Sequence, residues 1–210
     1  MSEIKAILRD YRDSDYESCE VLVNDAWKFD SNFKPQELSD VAKCMYTKGS
    51  VMGSNCRKVI EMNGKVVGFI FGLNEMSYKP KKSILFGLSI LRRILWIKGM
   101  SFKEKRLLLK AINTHEINRS KIVDRGTSEV VLFVVDPDYQ GVGNGKRLLY
   151  EFTTQCKKSG VKSIIVETNK LGASSFYEKV GFKHLGDFDS PLHEYATKGG
   201  QACMYEYRFE

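Results

Sequence analysis

Polar and apolar positions alternate, or give way to short β-branched blocks, at seven places along the chain. These are Ile4 to Leu8, Arg57 to Met62, Lys65 to Leu73, Val130 to Val135, Ser163 to Thr168, Phe182 to Phe188 and Cys203 to Phe209. Each is short enough for a strand. Asn63-Gly64 is the two-residue turn that best matches strand twist, so the second and third strands form an antiparallel hairpin. Gly68 and Gly72 recur on one face of the third and predict a bulge or a close approach there. A period near 3.6 appears elsewhere. Asp13 or Ser14 can cap a helix to about Trp27 with Val21, Leu22 and Ala26 on its apolar stripe. A second helix begins after Pro35 and carries Leu38, Val41, Ala42 and Met45.

The stretch 75–127 is helical by its pattern. Ile84 to Met100 sets Ile84, Leu88, Leu91 and Leu95 on one face, yet Phe86, Ile90, Ile94 and Ile97 carry the apolar surface much further round. Such a helix needs a cover, since Leu85, Phe86, Ile90, Ile94, Trp96 and Ile97 exceed what a monomer usually exposes. A following helix, about Lys103 to Asn118, shows Leu108, Ala111 and Ile112 at helical spacing and can supply it. Closure of this pair over one side of a cleft is the expectation. A homodimer through the same surface, or an interfacial helix with Arg92 and Arg93 toward anionic lipid, are the alternatives.

The central feature is the run from Ser128 to Thr153. A strand without polar interruption, Val130 to Val135, is stopped by Pro137; a glycine-rich loop follows; a helix then starts near Gly143 to Gly145 with Lys146 and Arg147 in its first turn. The orphan amides of that helix, with Gly141, Gly143 and Gly145 opening the backbone, suit a phosphate. Neither common phosphate motif fits. A P-loop would need glycine at Gln140 and Ser or Thr at Arg147, and the dinucleotide fingerprint would need a GxGxxG spacing directly after the strand. Asn169 to Val180 then reads as a short helix closed by Gly181, and the polar connection Asp189 to Gln201 as a substrate loop.

Composition narrows this only slightly. The 210 residues, 42% hydrophobic and 28% charged, describe an ordinary globular chain, read as one domain. A net charge of +7 suits an anionic ligand. Lys and Arg are scattered through the sequence, so a nucleic-acid partner is not expected. Cys19, Cys44, Cys56, Cys156 and Cys203 form no CxxC pair and lie near no His cluster, so neither zinc nor a disulfide framework is expected. The N-terminal residues hold no signal core, and no uncharged run is long enough to span a bilayer; the expectation is a cytoplasmic protein without membrane association.

Gln140 to Gly145, Q-x-x-G-x-G behind the strand, together with Ser175 to Phe182, S-F-Y-E-K-V-G-F, resembles the GCN5-related N-acetyltransferase (GNAT) superfamily over residues 128–182. That resemblance implies a mixed α/β, α+β-like fold: a central mixed sheet of about seven strands, splayed between strands 4 and 5. The stretch of about 75–127 would then be a helical insertion between strands 3 and 4. It implies acetyl transfer from acetyl-CoA, as co-substrate and without a metal, to a primary amine of a small molecule or peptide, by direct attack in a ternary complex. Gln140, Gly141, Val142, Gly143, Asn144, Gly145 and Lys146 would hold the pyrophosphate, and Phe133, Val134 and Val135 would pair with the pantetheine. Asn169 would contact the same arm, at a spacing from Tyr177 one residue longer than the familiar form. Tyr177 would protonate the leaving thiolate, and Glu129, 11 positions before Gln140, would be the general base. His115, His184 and His193 read as surface or packing residues, with His193 in the suspected acceptor loop. A catalytically silent acyl-CoA-binding module is the alternative that the same loop allows.

Overall fold

The computed structural model describes residues 6–78, 84–124, 126–197 and 201–210. Among these residues seven strands form one sheet in the order β1-β2-β3-β4-β5-β7-β6. They are β1 (Ile7–Asp10), β2 (Cys56–Met62), β3 (Lys65–Leu73), β4 (Glu129–Val135), β5 (Ser163–Asn169), β6 (Lys183–Phe188) and β7 (Ala202–Arg208). The helices are α1 (Tyr16–Trp27), α2 (Phe29–Asn32), α3 (Gln36–Gly53), α4 (Ile84–Trp96), α5 (Phe102–Arg119), α6 (Asn144–Lys158), α7 (Ser174–Lys179) and α8 (Pro191–Thr197). Every neighbouring pair of strands is antiparallel except β4 and β5, which are parallel as a helical crossover requires.

Two apolar layers cover the sheet. On one face Phe69, Phe71, Leu132 and Val134 meet α1, α3, α4 and α5 through Val23, Leu38, Ile94 and Leu108. On the other, Ile70, Val130, Ile164 and Val166 meet α6 and α7 through Leu148, Phe152 and Tyr177. Val130 lies on the α6 face, but Leu132 and Val134 lie on the opposite one. Strict alternation would forbid this. Val131 is an extra residue, because Phe71 pairs with Leu132 and Gly72 with Val130, and this bulge turns the second half of β4 over. The hairpin turn has positive φ at Asn63 and Gly64, 52° and 75°, as the Asn-Gly pair predicts.

Several boundaries differ from the sequence reading. The first strand is Ile7–Asp10 instead of Ile4 to Leu8; Ile4 lies outside the described residues. Its pairing is helped by ion pairs of Arg9 to Glu61 and of Lys58 to Asp10. Asp13 to Asp15 form a 3-10 turn before α1, where Asp15 accepts the Arg12 N–H and the Arg9 guanidinium. Asn169 belongs to β5, opposite Ala202, and its side-chain oxygen takes the Leu171 N–H; α7 therefore starts only at Ser174. The connection 189–201 is no simple loop. Ser190 caps α8 by accepting the His193 N–H, and Pro191 occupies the first helical position.

The first inserted helix ends at Trp96, earlier than its periodicity to Met100 suggests, while the second runs as expected to within a residue. Ser101 and Glu104 make a reciprocal capping box that starts α5, and Lys105 donates to the Leu95 carbonyl at the end of α4. Ile90, Ile94 and Ile97 face inward as the expected cover requires. Trp96 and Leu85 do not: they are 77% and 78% exposed.

Gly72 tests the packing directly. A Cβ there would lie 2.3 Å from the ring of Phe152, which is fully buried and cannot retreat. Gly72→Ala should cost roughly 1–3 kcal/mol in urea unfolding, and Phe152→Leu in the same chain should recover part of it.

Candidate active site

β4 and β5 pair only at Glu129 with Ile165 and Val130 with Val166, then part. The opening faces the glycine loop. Asp136 donates to the Val67 carbonyl, so by the two-residue repeat Val134 directs its N–H and C=O to β3, while Phe133 and Val135 direct theirs into the opening. Two of the three expected pantetheine partners thus line the gap, and Val134 does not.

The loop begins with a 3-10 turn, Pro137–Tyr139, in which Asp136 caps the Asp138 N–H. Gln140 Nε2 donates to the Val135 carbonyl at 2.9 Å, and Asn144 Nδ2 to the Tyr139 carbonyl at 3.0 Å. Both side chains therefore brace the loop from within. Gly143 is the residue before α6, at φ 92°, a conformation that side chains resist. The first intrahelical bond is Arg147 N–H to the Gly143 carbonyl, so the amides of Asn144, Gly145 and Lys146 have no acceptor in the helix, and no side chain among the described residues caps them. Val142 and Lys146 are exposed beside them. An anionic diphosphate fits this donor set, and the open strand edge beside it fits an amide-bearing arm.

Tyr177 lies in the apolar cluster that holds Val130 and Val166, the last paired residues before the opening. Its ring packs on Phe176 and Phe182, and Phe176 packs on Phe133 of β4. Tyr177 is 4% exposed, and its hydroxyl makes no hydrogen bond among the described residues. Burial raises its pKa.

The other face of the opening carries a cluster that sequence reading missed. Arg119, in the last turn of α5, touches Glu129 through Nη2 and Glu167 of β5 through Nε at 3.0 Å. Glu167 also meets His193 Nε2 at 3.0 Å and His115 Nε2 at 3.7 Å. His115 bonds Ser190 Oγ at 2.9 Å and stacks on His193. The two histidines read as packing residues are thus joined to the candidate base, whereas His184 pairs with Asp187 away from it. The only hint in sequence was the placement of His193 in an acceptor loop.

Electrostatics separates the two carboxylates. Burial raises Glu129 above the ordinary carboxylate range, with Arg119 opposing the rise. Burial acts on Glu167 in the same sense, but His193, His115 and Arg119 together outweigh it and hold that carboxyl low. One poised carboxylate and one fixed anion result. A small apolar pocket, lined by Phe33, Met45, Tyr46, Ile94, Leu108 and Leu192 among others, adjoins this cluster. Leu192 precedes His193 on α8, and Tyr46 feels the charge of Glu167.

The family model for the acetyltransferase (GNAT) domain matches residues 99–189. The ribosomal protein bS18-alanine N-acetyltransferase of Haemophilus influenzae is 35% identical over 85 residues, 39% of this chain and 58% of that protein. The chain thus spans a little over half the length of that curated relative. Among solved structures, a protein of Pyrococcus horikoshii OT3 superposes with a TM-score of 0.61 at 18% identity, over 98% of this chain and 99% of that one. The PaiA N-acetyltransferase of Thermoplasma acidophilum, solved in complex with coenzyme A, gives 0.57 at 16% identity over 98% and 100%. These likenesses identify the fold.

His115 supplies a test of the cluster. Burial holds its imidazole below the ordinary value of about 6.5, so the folded state binds fewer protons there than the unfolded one. Its contribution to stability is full above that pH and is lost as pH falls through it toward the folded pKa. Glu129, with a raised pKa, acts in the opposite sense, so the difference between wild type and His115→Gln isolates the histidine. Urea midpoints at about pH 7.5 and about pH 5.5 should show wild type losing stability relative to the variant at the lower pH.

Proposed function

Because the chain has the GNAT fold and its residues 99–189 match the acetyltransferase (GNAT) domain, we propose that it transfers an acetyl group from acetyl-CoA to a primary amine. The observation that carries this reading is the parting of β4 and β5 beside the uncapped start of α6. Acetyl-CoA supplies the activated thioester. The amides of Val142 to Lys146 hold its pyrophosphate, and Phe133 and Val135 offer strand-like hydrogen bonds to its arm. The acceptor reaches the carbonyl through the gap from the opposite face of the sheet and attacks it directly in a ternary complex. Proximity then supplies much of the rate, and no covalent enzyme intermediate is needed.

Glu129 takes the proton of the incoming ammonium, its basicity raised by burial and trimmed by Arg119. Glu167, kept ionised by His193, His115 and Arg119, draws the cation to the same point. Tyr177 gives its proton to the departing thiolate as the C–S bond breaks, and its phenolate takes up the second proton of the newly acylated nitrogen. Its phenol is less acidic here than in water, but a thiolate in the same dry cleft is also more basic, so donor and acceptor remain matched. The acceptor is an amine borne by a small molecule or a peptide. The curated relative is named for an alanine of a ribosomal protein, so N-terminal peptides belong in an acceptor screen that reads release of free CoA.

Two substitutions separate binding from chemistry. Gly143→Glu places an anion and a strained residue at the head of α6, and calorimetry should detect no acetyl-CoA binding; unchanged affinity would refute the pyrophosphate site. Tyr177→Phe should leave that affinity nearly intact and lower turnover by roughly 10- to 10⁴-fold, because a positioned proton donor acts mainly in the transition state. Wild-type turnover in this variant would remove Tyr177 from the reaction.

A further inference from the structure

α4 is apolar on both of its faces. Inward, Ile90, Ile94 and Ile97 are at most 8% exposed and complete the core under α3 and α5. Outward, Ile84, Leu85, Leu88, Leu95 and Trp96 remain between 47% and 78% exposed, and at 100° per residue they fall on one side of the helix with Arg92 among them. Phe102, the first residue of α5, is 77% exposed just past the turn. Scattered surface apolar residues need no explanation, but an apolar stripe running the length of a helix does.

The charge around this stripe has one sign. Arg92, Arg93, Lys98, Lys103, Arg106 and Lys110 are all exposed, and Glu104 is the only carboxylate in residues 84–110. A two-fold contact with a second copy would press these cations against each other. A nucleic acid would meet the cations and leave Leu85, Leu88 and Trp96 in water. Both halves of the surface are satisfied together only at the headgroup boundary of a negatively charged bilayer, where apolar side chains enter the acyl region and cations meet phosphates. Tryptophan favours that depth, and Trp96 sits at the end of the helix, two residues before Lys98. No described helix is long and apolar enough to cross a membrane, so α4 would lie in the plane.

We propose that the outward face of α4, with the basic residues that flank it, seats this protein on an anionic lipid surface. The sequence had ranked this below a fully covered helix; the exposure of Leu85 and Trp96 reverses the order. The inference does not depend on the acetyl-transfer reading, and its test needs no substrate.

The whole chain should sediment with vesicles of about 70% phosphatidylcholine and 30% phosphatidylglycerol, and stay in solution with phosphatidylcholine alone. Leu88→Glu with Trp96→Glu should lower the bound fraction about tenfold, and Arg92→Glu with Arg93→Glu should do the same. All four side chains point away from the core, so the thermal midpoint of each variant checks that it still folds. In a Trp27→Phe chain, where Trp96 is the remaining tryptophan, emission should move to shorter wavelength when anionic vesicles are added. Absence of binding to the anionic vesicles would overturn the proposal. So would binding that the two glutamates at 88 and 96 leave unchanged, or a wild-type dimer in sedimentation velocity that those glutamates convert to monomer, which would assign the face to a second copy.

Discussion

Two parallel strands that share only two residue pairs set the terms for everything else in this molecule. A sheet normally continues its ladder, because each unpaired N–H and C=O taken out of water carries a penalty comparable to a lost hydrogen bond. Here β4 and β5 separate after Val130 and Val166, and each finds its other neighbour intact: β4 stays paired to β3, and β5 to β7 along its full length. The opening is therefore held from both sides by paired strands, interrupted on the β3 side only at Val131. The bulge at Val131 adds a second requirement. It puts Glu129, Leu132 and Val134 toward the inserted helices and Phe133 and Val135 toward α6 and α7, so the two faces of the sheet meet different chemistry at the gap.

That division explains why the site has two unlike walls. The α6 and α7 wall is made of backbone amides and aromatic rings, with the Tyr177 phenol among them; it suits a phosphate, an amide-bearing chain and a thioester. The opposite wall concentrates charge: one guanidinium, two carboxylates and two imidazoles within hydrogen-bonding reach or close to it. Burying such a cluster is seldom a route to stability, since desolvation offsets most of the attraction between partners. Apolar residues of the same volume would hold α5 and α8 to the sheet at least as well. Stability alone therefore does not account for the cluster, whereas the proposed acetyl transfer uses its carboxylates to handle a cation and its proton.

How far the sequence disclosed this follows from the range over which each signal acts. The hairpin, the glycine loop and the positions of the strands along the chain were legible because Asn63-Gly64, Gln140 to Gly145 and the β-branched runs carry their information locally. Arg119, Glu129, Glu167 and His193 come from four elements, and nothing in their spacing shows that they converge. Gly72 signalled a bulge or a close approach, but the extra residue itself was hidden: a run of valines reads the same in either register, and only pairing to Gly72 singles out Val131. α8 was hidden by its polarity, although Ser190-Pro191 is a helix start by the usual rules. For α4 the pattern was legible and ambiguous at once. With both faces apolar, periodicity cannot say which one turns inward, and the packing of Ile90, Ile94 and Ile97 decides it.

The insertion is tied to the gap through the C-terminal part of α5, which carries His115 and Arg119. α5 runs 18 residues from the exposed turn after Trp96 to Arg119, whose guanidinium bridges a carboxylate on β4 and another on β5 where the two strands part. A shift of α5 along its axis would move that bridge. Loss of the Arg119 contacts would leave two carboxylates sharing a partly buried site, where like charges raise each other's pKa and Glu129 would become a stronger base. The buried isoleucines of α4 pack in the same apolar cluster as Leu108, on the helix that carries Arg119.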